Sequence, residues 1–410
     1  MTAFRKRVWN GLRRRFDRWI HKLGKKYNLS LALVNDYAEF GGLKELCTLS
    51  DRYTLFSAPL LYDRQLKEIR QSSFKAPVPD VHLLELTDVG IIGATMAVIR
   101  NGKVLHPELL RMSPNHDYKA PDIYRFSDDR RRSLDFYVFT KPIAQKSIEV
   151  GIHLLKEHSF NYYHWLFECL PRLIHYIDNL DKMGRSVKYT VLVDDGVLPQ
   201  CMEAVRRLIS FNHKIRKVKR GELVFCDKLF YVSPFWYSLD NTKNKVDPYK
   251  DLAVDKYAIK LVRDAFSNRG TSNIASRKIY LPRKANQVRR LVNAEQVEAL
   301  MIRNGFEIVY ADQLTFEEQI KLFSSASIVV GGTGAALSNI VFMQPGTKAV
   351  IFSPKDLGVF NYYIFQQQAD VAQVELMHLL GAPAKKENFY IHDDFYVDCD
   401  DLLGLIQRIG

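Results

Sequence analysis

The stretch SIVVGGTGAALSNIVFMQPGTKAVIFSP (327–354) decides the fold. It runs from a β-branched strand through a glycine-rich turn into a short helix over Ala335–Phe342, then into a second apolar strand. Continuous apolar runs split by a helical piece are the pattern of a parallel sheet covered on both faces. The same alternation extends upstream. KIYLPR (278–283) reads as a strand, and Asn293–Asn304 as a helix opened by an Asn293/Gln296 analogue of the capping box. FEIVYA follows Gly305 as a strand, and Thr315–Ser325 is a helix with Thr315 and Glu318 as its box. This is a Rossmann-like half.

A second alternation lies before it. EVGIHLL (149–155) and YTVLVDD read as strands, Asn161–Asp178 and Gln200–Ser210 as helices, and KLFYVSP (228–234) as a further strand. Asn101-Gly102, between β-branched residues, signals a type I′ hairpin. The polar stretch 238–251 interrupts the pattern and serves as the candidate linker. The expected organisation is an α/β chain. A basic amphipathic helix (1–27) precedes a first Rossmann-like lobe with irregular insertions (28–240), a second lobe (241–385) and a C-terminal extension with a helix (386–410).

The formal charge is +13, and residues 1–26 hold ten basic side chains against the single acid Asp17. The remainder is near neutral, so a nucleic-acid surface over the whole chain is not indicated. Phe4, Val8, Trp9, Leu12, Phe16, Trp19, Ile20 and Leu23 recur at helical spacing, giving an apolar stripe opposite a basic face. Such a segment fits an anionic membrane surface, where each Lys or Arg contributes roughly 1 kcal/mol. Packing on the body, or RNA or partner binding, stays open for residues 4–26. The five cysteines show no CxxC spacing and point to reduced thiols rather than a disulfide framework or zinc site. No leader or spanning segment is read, so a cytoplasmic protein, peripheral on the inner face of the membrane, is expected.

Two stretches carry chemistry. In VVGGTGAALSN, Gly331, Gly332 and Gly334 stand between a strand and a helix start, with Thr333 and Ala335 in the turn. Backbone N–H groups there can receive a phosphate. In LPRKANQVRR, Arg283, Lys284, Arg289 and Arg290 follow the first strand of the half, at the edge where such sheets bind ligands. Together they describe a diphosphate clamp. A GxGxxG turn after the first strand with an acid about twenty residues on is absent, which disfavours NAD. In NYYHWLFECLPRL, Asn161, His164, Glu168 and Arg172 are spaced to share one face of a helix. His164 is the first choice for a general base and Glu168 the second, with Asn161 as a further catalytic candidate and Arg172 in support.

The blocks NYYHWLFECLPRL, YLPRKANQVRRLVN and GFEIVYADQLTFEEQIKLFSSASIVVGGTGAALSNIVFMQPGTKAVIF, in this order, resemble glycosyltransferase family 61, over about 150–355. The resemblance is to bacterial members tied to capsular polysaccharide synthesis. It implies a GT-B pair of lobes facing a cleft. It also implies inverting transfer from a nucleotide sugar, UDP-linked by preference, to a glycan or lipid-linked glycan, with no obligatory metal or other cofactor. Arg283 and Arg290 match the family's basic positions, and Gly334, Ala335 and Asn339 its glycine-turn block. Thr333 and Phe352 depart from it, where relatives carry His and an acid. A non-catalytic nucleotide-sugar or glycan-binding scaffold is the alternative.

Overall fold

The computed structural model describes residues 30–33, 36–107, 123–128, 133–138, 147–238, 252–267, 275–283, 289–355, 357, 360–385 and 393–410. The amphipathic segment 4–26, the linker 239–251 and Lys284 lie outside the described residues.

Two sheets organise the chain. In the first, Leu223–Val232, Ile148–His153, Tyr189–Asp194 and His213–Val218 lie side by side and parallel. The long strand Val81–Ile92 closes onto Leu223–Val232 in antiparallel register. In the second, Glu307–Ile308, Arg277–Leu281, Ala326–Gly332, Lys348–Pro354 and Glu375–Lys385 are parallel neighbours. Numbered along the chain, these five stand in the order 2-1-3-4-5, the flavodoxin-like variant of the doubly wound sheet.

Residues alternate in and out of each sheet with period two, and that alternation sorts the core into layers. Val191, Val193, Phe230 and Val232 of the first sheet share one buried cluster with Ile279, Leu281, Val329 and Ile351 of the second. Their neighbours point outward: Leu192, Leu229 and Tyr231 into a cluster behind the first sheet, and Tyr280, Val330 and Phe352 into one behind the second. Helices 162–178, 199–208, 256–266, 316–325 and 360–372 fill the middle layer. The sheets thus bury a continuous apolar layer between them, interrupted by a local cavity.

A boundary at 240 does not separate the two sheets. Strand Leu60–Asp63, from the segment assigned to the first lobe, runs parallel to Glu375–Lys385 through Leu60↔Met377, and Lys67–Ile69 pairs with it. The terminal helix Cys399–Ile409 is likewise part of the second half, burying Leu402, Leu405 and Ile406 in the outer cluster.

Local signals mostly meet the structure. Asn101 and Gly102 take φ 49° and 73° in a tight hairpin. Thr315 and Glu318 close a capping box. Asn293 does not cap its helix; its amide bridges the backbone N–H and C=O of Val397 instead. The helix after the glycine turn is of the 3₁₀ type over Ala335–Phe342. All five cysteines are free thiols. No described helix is long and apolar enough to cross a membrane.

Candidate active site

The order 2-1-3-4-5 has its switch point between strands Arg277–Leu281 and Ala326–Gly332. In open α/β sheets ligands bind outside the carboxyl ends of the strands at such a point. A cavity of about 600 Å³ opens there. Arg283 and Arg289 line it from the loop after the first strand, and Gly332, Gly334 and Ala335 from the glycine turn. Asn161, Tyr162 and Gln200 reach it from the other half of the molecule.

The glycines are there for space rather than for unusual φ. Gly334 sits at φ 175°, extended backbone open to any residue. A Cβ on Gly332 would stand 2.9 Å from Cδ of Arg283, and one on Gly334 2.6 Å from its Nη1. The turn is therefore a bed on which Arg283 lies, its Nη1 donating to the Thr333 carbonyl. Gly331 serves strand packing, its missing Cβ facing Leu281 at 3.0 Å. Gly334→Ala is expected to push the Arg283 guanidinium off its bed and weaken binding of an anionic ligand in the cavity while moving the melting temperature little. Calorimetry beside a thermal melt checks both.

Arg283 is held in an unfavourable field. Burial and the neighbouring Arg289 guanidinium push its pKa down to about 10. Arg289 is also pushed down by burial, and its Nε is buried with no acceptor among the described residues. Its backbone takes the left-handed conformation, φ 58°. Non-glycine residues held there store of order 1–3 kcal/mol and cluster at ligand sites. Two crowded, partly desolvated guanidiniums facing one cavity are stabilised by a bound anion, bidentate oxyanions above all.

Other members of the expected clamp do different work. Arg290 does not line the cavity: its Nε and Nη2 grip Oδ2 of Asp394 at 3.0 and 2.6 Å, and its backbone N–H donates to Oδ1 at 2.8 Å. That ties the loop to strand Asp394–Tyr396. Arg290→Ala removes the two guanidinium bonds to the buried Asp394 carboxylate, and should lower stability by about 1–3 kcal/mol while leaving ligand binding at the cavity unchanged. Urea unfolding and a binding titration decide it. Asn339 is fully buried; it accepts from the Tyr162 hydroxyl at 2.7 Å and donates to Gln319 at 2.7 Å. It fastens the two halves rather than touching the cavity. Thr333 is buried and offers its carbonyl inward to Arg283.

The His164 helix opens as its sequence suggests, with the Asn161 side chain accepting from the Tyr163 N–H at 3.0 Å. It then departs from a uniform α-helix. Trp165–Cys169 forms a π-helical turn, Leu170 N–H reaching back to the Trp165 carbonyl. The extra residue rotates everything after it, and π-turns recur at functional sites. Asn161, His164, Glu168 and Arg172 consequently do not form one cleft-facing file. Arg172 is fully buried, donating to the Glu168 and Leu155 carbonyls at 2.9 and 3.2 Å.

His164 and Glu168 do meet. Nδ1 of His164 lies 2.6 Å from Oε1 of Glu168, whose Oε2 is 2.8 Å from Nζ of Lys156. Burial pushes the Glu168 carboxyl up, but Lys156 and His164 outweigh it and hold it at about 2. The Lys156 backbone is held in turn, its amide N–H donating to Oδ2 of Asp194 at 3.0 Å, a carboxyl raised by burial to about 6. A permanently ionised carboxylate on Nδ1 fixes the tautomer that presents Nε2 as acceptor, the arrangement of a general base with its orienting acid. His164 keeps a side chain 22% exposed, while Glu168 is nearly inaccessible. His164 is not in the cavity wall; Asn161, one turn earlier, is.

Reading the sequence alone misses Lys156, Gln200, Tyr310 and Asp312. Lys156 follows the strand 148–153, and Tyr310 and Asp312 stand at the end of FEIVYA, so their positions at carboxyl ends of strands were the available signal.

A cavity at the switch point of a doubly wound sheet, walled by paired guanidiniums and a glycine turn, is where such folds receive ligands, and its charge suits an anionic one. Residues 162–350 match the family model for glycosyltransferase 61, which supports this family and, with it, glycosyltransferase activity. No curated protein matches the chain.

Proposed function

We propose that the chain is an inverting glycosyltransferase that moves a sugar from a nucleoside diphosphate, UDP by preference, to a glycan or lipid-linked glycan acceptor. In this reading the two sheets are the lobes of a GT-B enzyme. The observation that carries it is the Arg283/Arg289 pair, two crowded guanidiniums at the switch-point cavity. They hold the diphosphate and neutralise the charge that grows on it as the bond to the anomeric carbon breaks. His164, oriented by Glu168, takes the acceptor's hydroxyl proton, and that oxygen attacks the anomeric carbon opposite the leaving group. The guanidiniums supply the charge that a divalent cation supplies in other transferases, so the reaction needs no metal. The basic segment 4–26 would keep the enzyme at the inner membrane surface, near a lipid-linked acceptor of capsule type.

The test is a panel of UDP-, GDP-, CMP- and dTDP-sugars, read for transfer and for slow hydrolysis, with and without EDTA. Turnover of one donor that persists in EDTA is the expected result. Loss of turnover in EDTA, restored by a divalent cation, would remove the metal-free reading. Tight binding without turnover would favour a non-catalytic nucleotide-sugar or glycan-binding scaffold.

A further inference from the structure

The cavity has a second chemical end. Strand Glu307–Ile308 pairs parallel with Arg277–Leu281 through Ile279↔Glu307 and Tyr280↔Ile308. The ladder runs one residue further, Val309 N–H donating to the Tyr280 carbonyl at 2.9 Å. Tyr310 and Asp312 therefore emerge at the carboxyl end of the second strand, beside the loop that bears Arg283. A short 3₁₀ turn, Ala311–Gln313, shapes this segment. Gln200 locks it from the other half, its Nε2 donating to the Asp312 and Leu314 carbonyls, each at 3.1 Å. Tyr310 is 37% exposed, and both it and Asp312 line the cavity.

We infer that Asp312 receives the ribose hydroxyls of the donor and so sets the direction in which the nucleotide lies. This rests on the donor reading above. An anionic carboxylate repels phosphate, so the diphosphate belongs at the guanidinium end and a neutral hydroxylated group at Asp312. A carboxylate accepts from two hydroxyls at once, which suits a vicinal diol. In the dinucleotide-binding form of such sheets an acid after the second strand meets the ribose of a nucleotide whose phosphate sits after the first, the position that Arg283 takes here. The order 2-1-3-4-5 puts Asp312 after the second strand, where GGTGAA, after the third, has no such acid near it. The transferred sugar must reach the His164 helix, leaving the edge-strand side of the cavity to the nucleoside, with the base against the Tyr310 ring.

The test is a double-mutant cycle between protein and ligand, free of any transferred sugar. UDP, 2′-deoxy-UDP and 3′-deoxy-UDP, with the guanosine set in parallel, are titrated against the full-length wild type and Asp312→Asn. That substitution keeps the backbone carbonyl on Gln200. The wild type should lose about tenfold or more in affinity when the bonded hydroxyl is removed. Asp312→Asn should lose a similar factor for the ribonucleotide and discriminate little between ribo and deoxy forms. A variant that binds UDP as the wild type does, or keeps the full deoxy penalty, overturns the assignment. Loss of UDP affinity in Asp312→Asn with no wild-type deoxy penalty also overturns it, since the contact would then not be to the ribose. If the wild type binds no nucleoside diphosphate at all, the donor reading itself falls, and this assignment with it.

Discussion

Arg283→Ala is expected to abolish sugar transfer and to weaken nucleoside diphosphate binding by about 100-fold, at roughly 1.5–3 kcal/mol per charge-assisted hydrogen bond. The effect is large because the side chain is pre-placed. It lies on a turn that Gly332 and Gly334 keep clear, and the Thr333 carbonyl fixes its Nη1. The guanidinium is already partly stripped of water, its pKa pushed down to about 10 by burial and by Arg289. Desolvation that would weaken a free cation has thus been met in folding, and a bound diphosphate gains most of the contact energy. Truncation also relieves the repulsion on Arg289, so the folded state should not suffer in proportion. Arg283→Lys keeps the charge but loses the planar fork, and should recover only part of the affinity. Calorimetric titration with a thermal melt separates these outcomes. Full transfer activity in the Ala variant would end the clamp assignment.

His164→Ala should leave donor affinity near that of the wild type and reduce turnover by roughly 10²–10⁴-fold, the usual span for a positioned general base. Glu168→Gln tests the other half of the pair. It replaces the carboxylate paired with Lys156 by a neutral amide, and breaking such a buried pair typically costs about 3–5 kcal/mol. Its pH behaviour is the sharper reading. Glu168 titrates at about 2 in the fold against an ordinary 4.5. Its stabilising contribution is therefore complete above about pH 4.5 and is lost as pH falls toward 2. Across the neutral range Glu168 therefore stays ionised and remains paired with His164. Removing the carboxylate withdraws the acceptor that orients the imidazole and should lower kcat while leaving donor affinity near that of the wild type. Full turnover in either Glu168→Gln or His164→Ala would take the base role away from this pair.

Much of this was legible locally. Strands 326–332 and 348–354, the Thr315 box, the Asn101-Gly102 turn and the Asn161 cap are each set by residues within a few positions. The glycine turn and Arg283 were legible too, since strand ends and basic loops are local features. What escaped depends on distant partners. Arg290 looks like a phosphate ligand until Asp394 folds against it, and Asn339 looks like a turn residue until Tyr162 arrives from the other half. Arg172 follows the helical count to a cleft-facing position, but the π-turn at Trp165–Cys169 rotates it into the core. No residue type announces that turn. Sheet order is likewise invisible to periodicity, and it alone identifies Asp312 as the acid after the second strand.

The placement of Leu60–Asp63 beside Glu375–Lys385 has a bearing on how the protein can be made. During synthesis that early strand leaves the ribosome with its docking edge unsatisfied, and its neighbour around Met377 is made much later. Until then it is a loose ribbon, open to pairing with a second nascent chain. Cutting the gene near residue 240 would give one fragment with an orphan strand and another with a bare sheet border. Neither piece should stay in solution alone, whereas the two made together could reassemble.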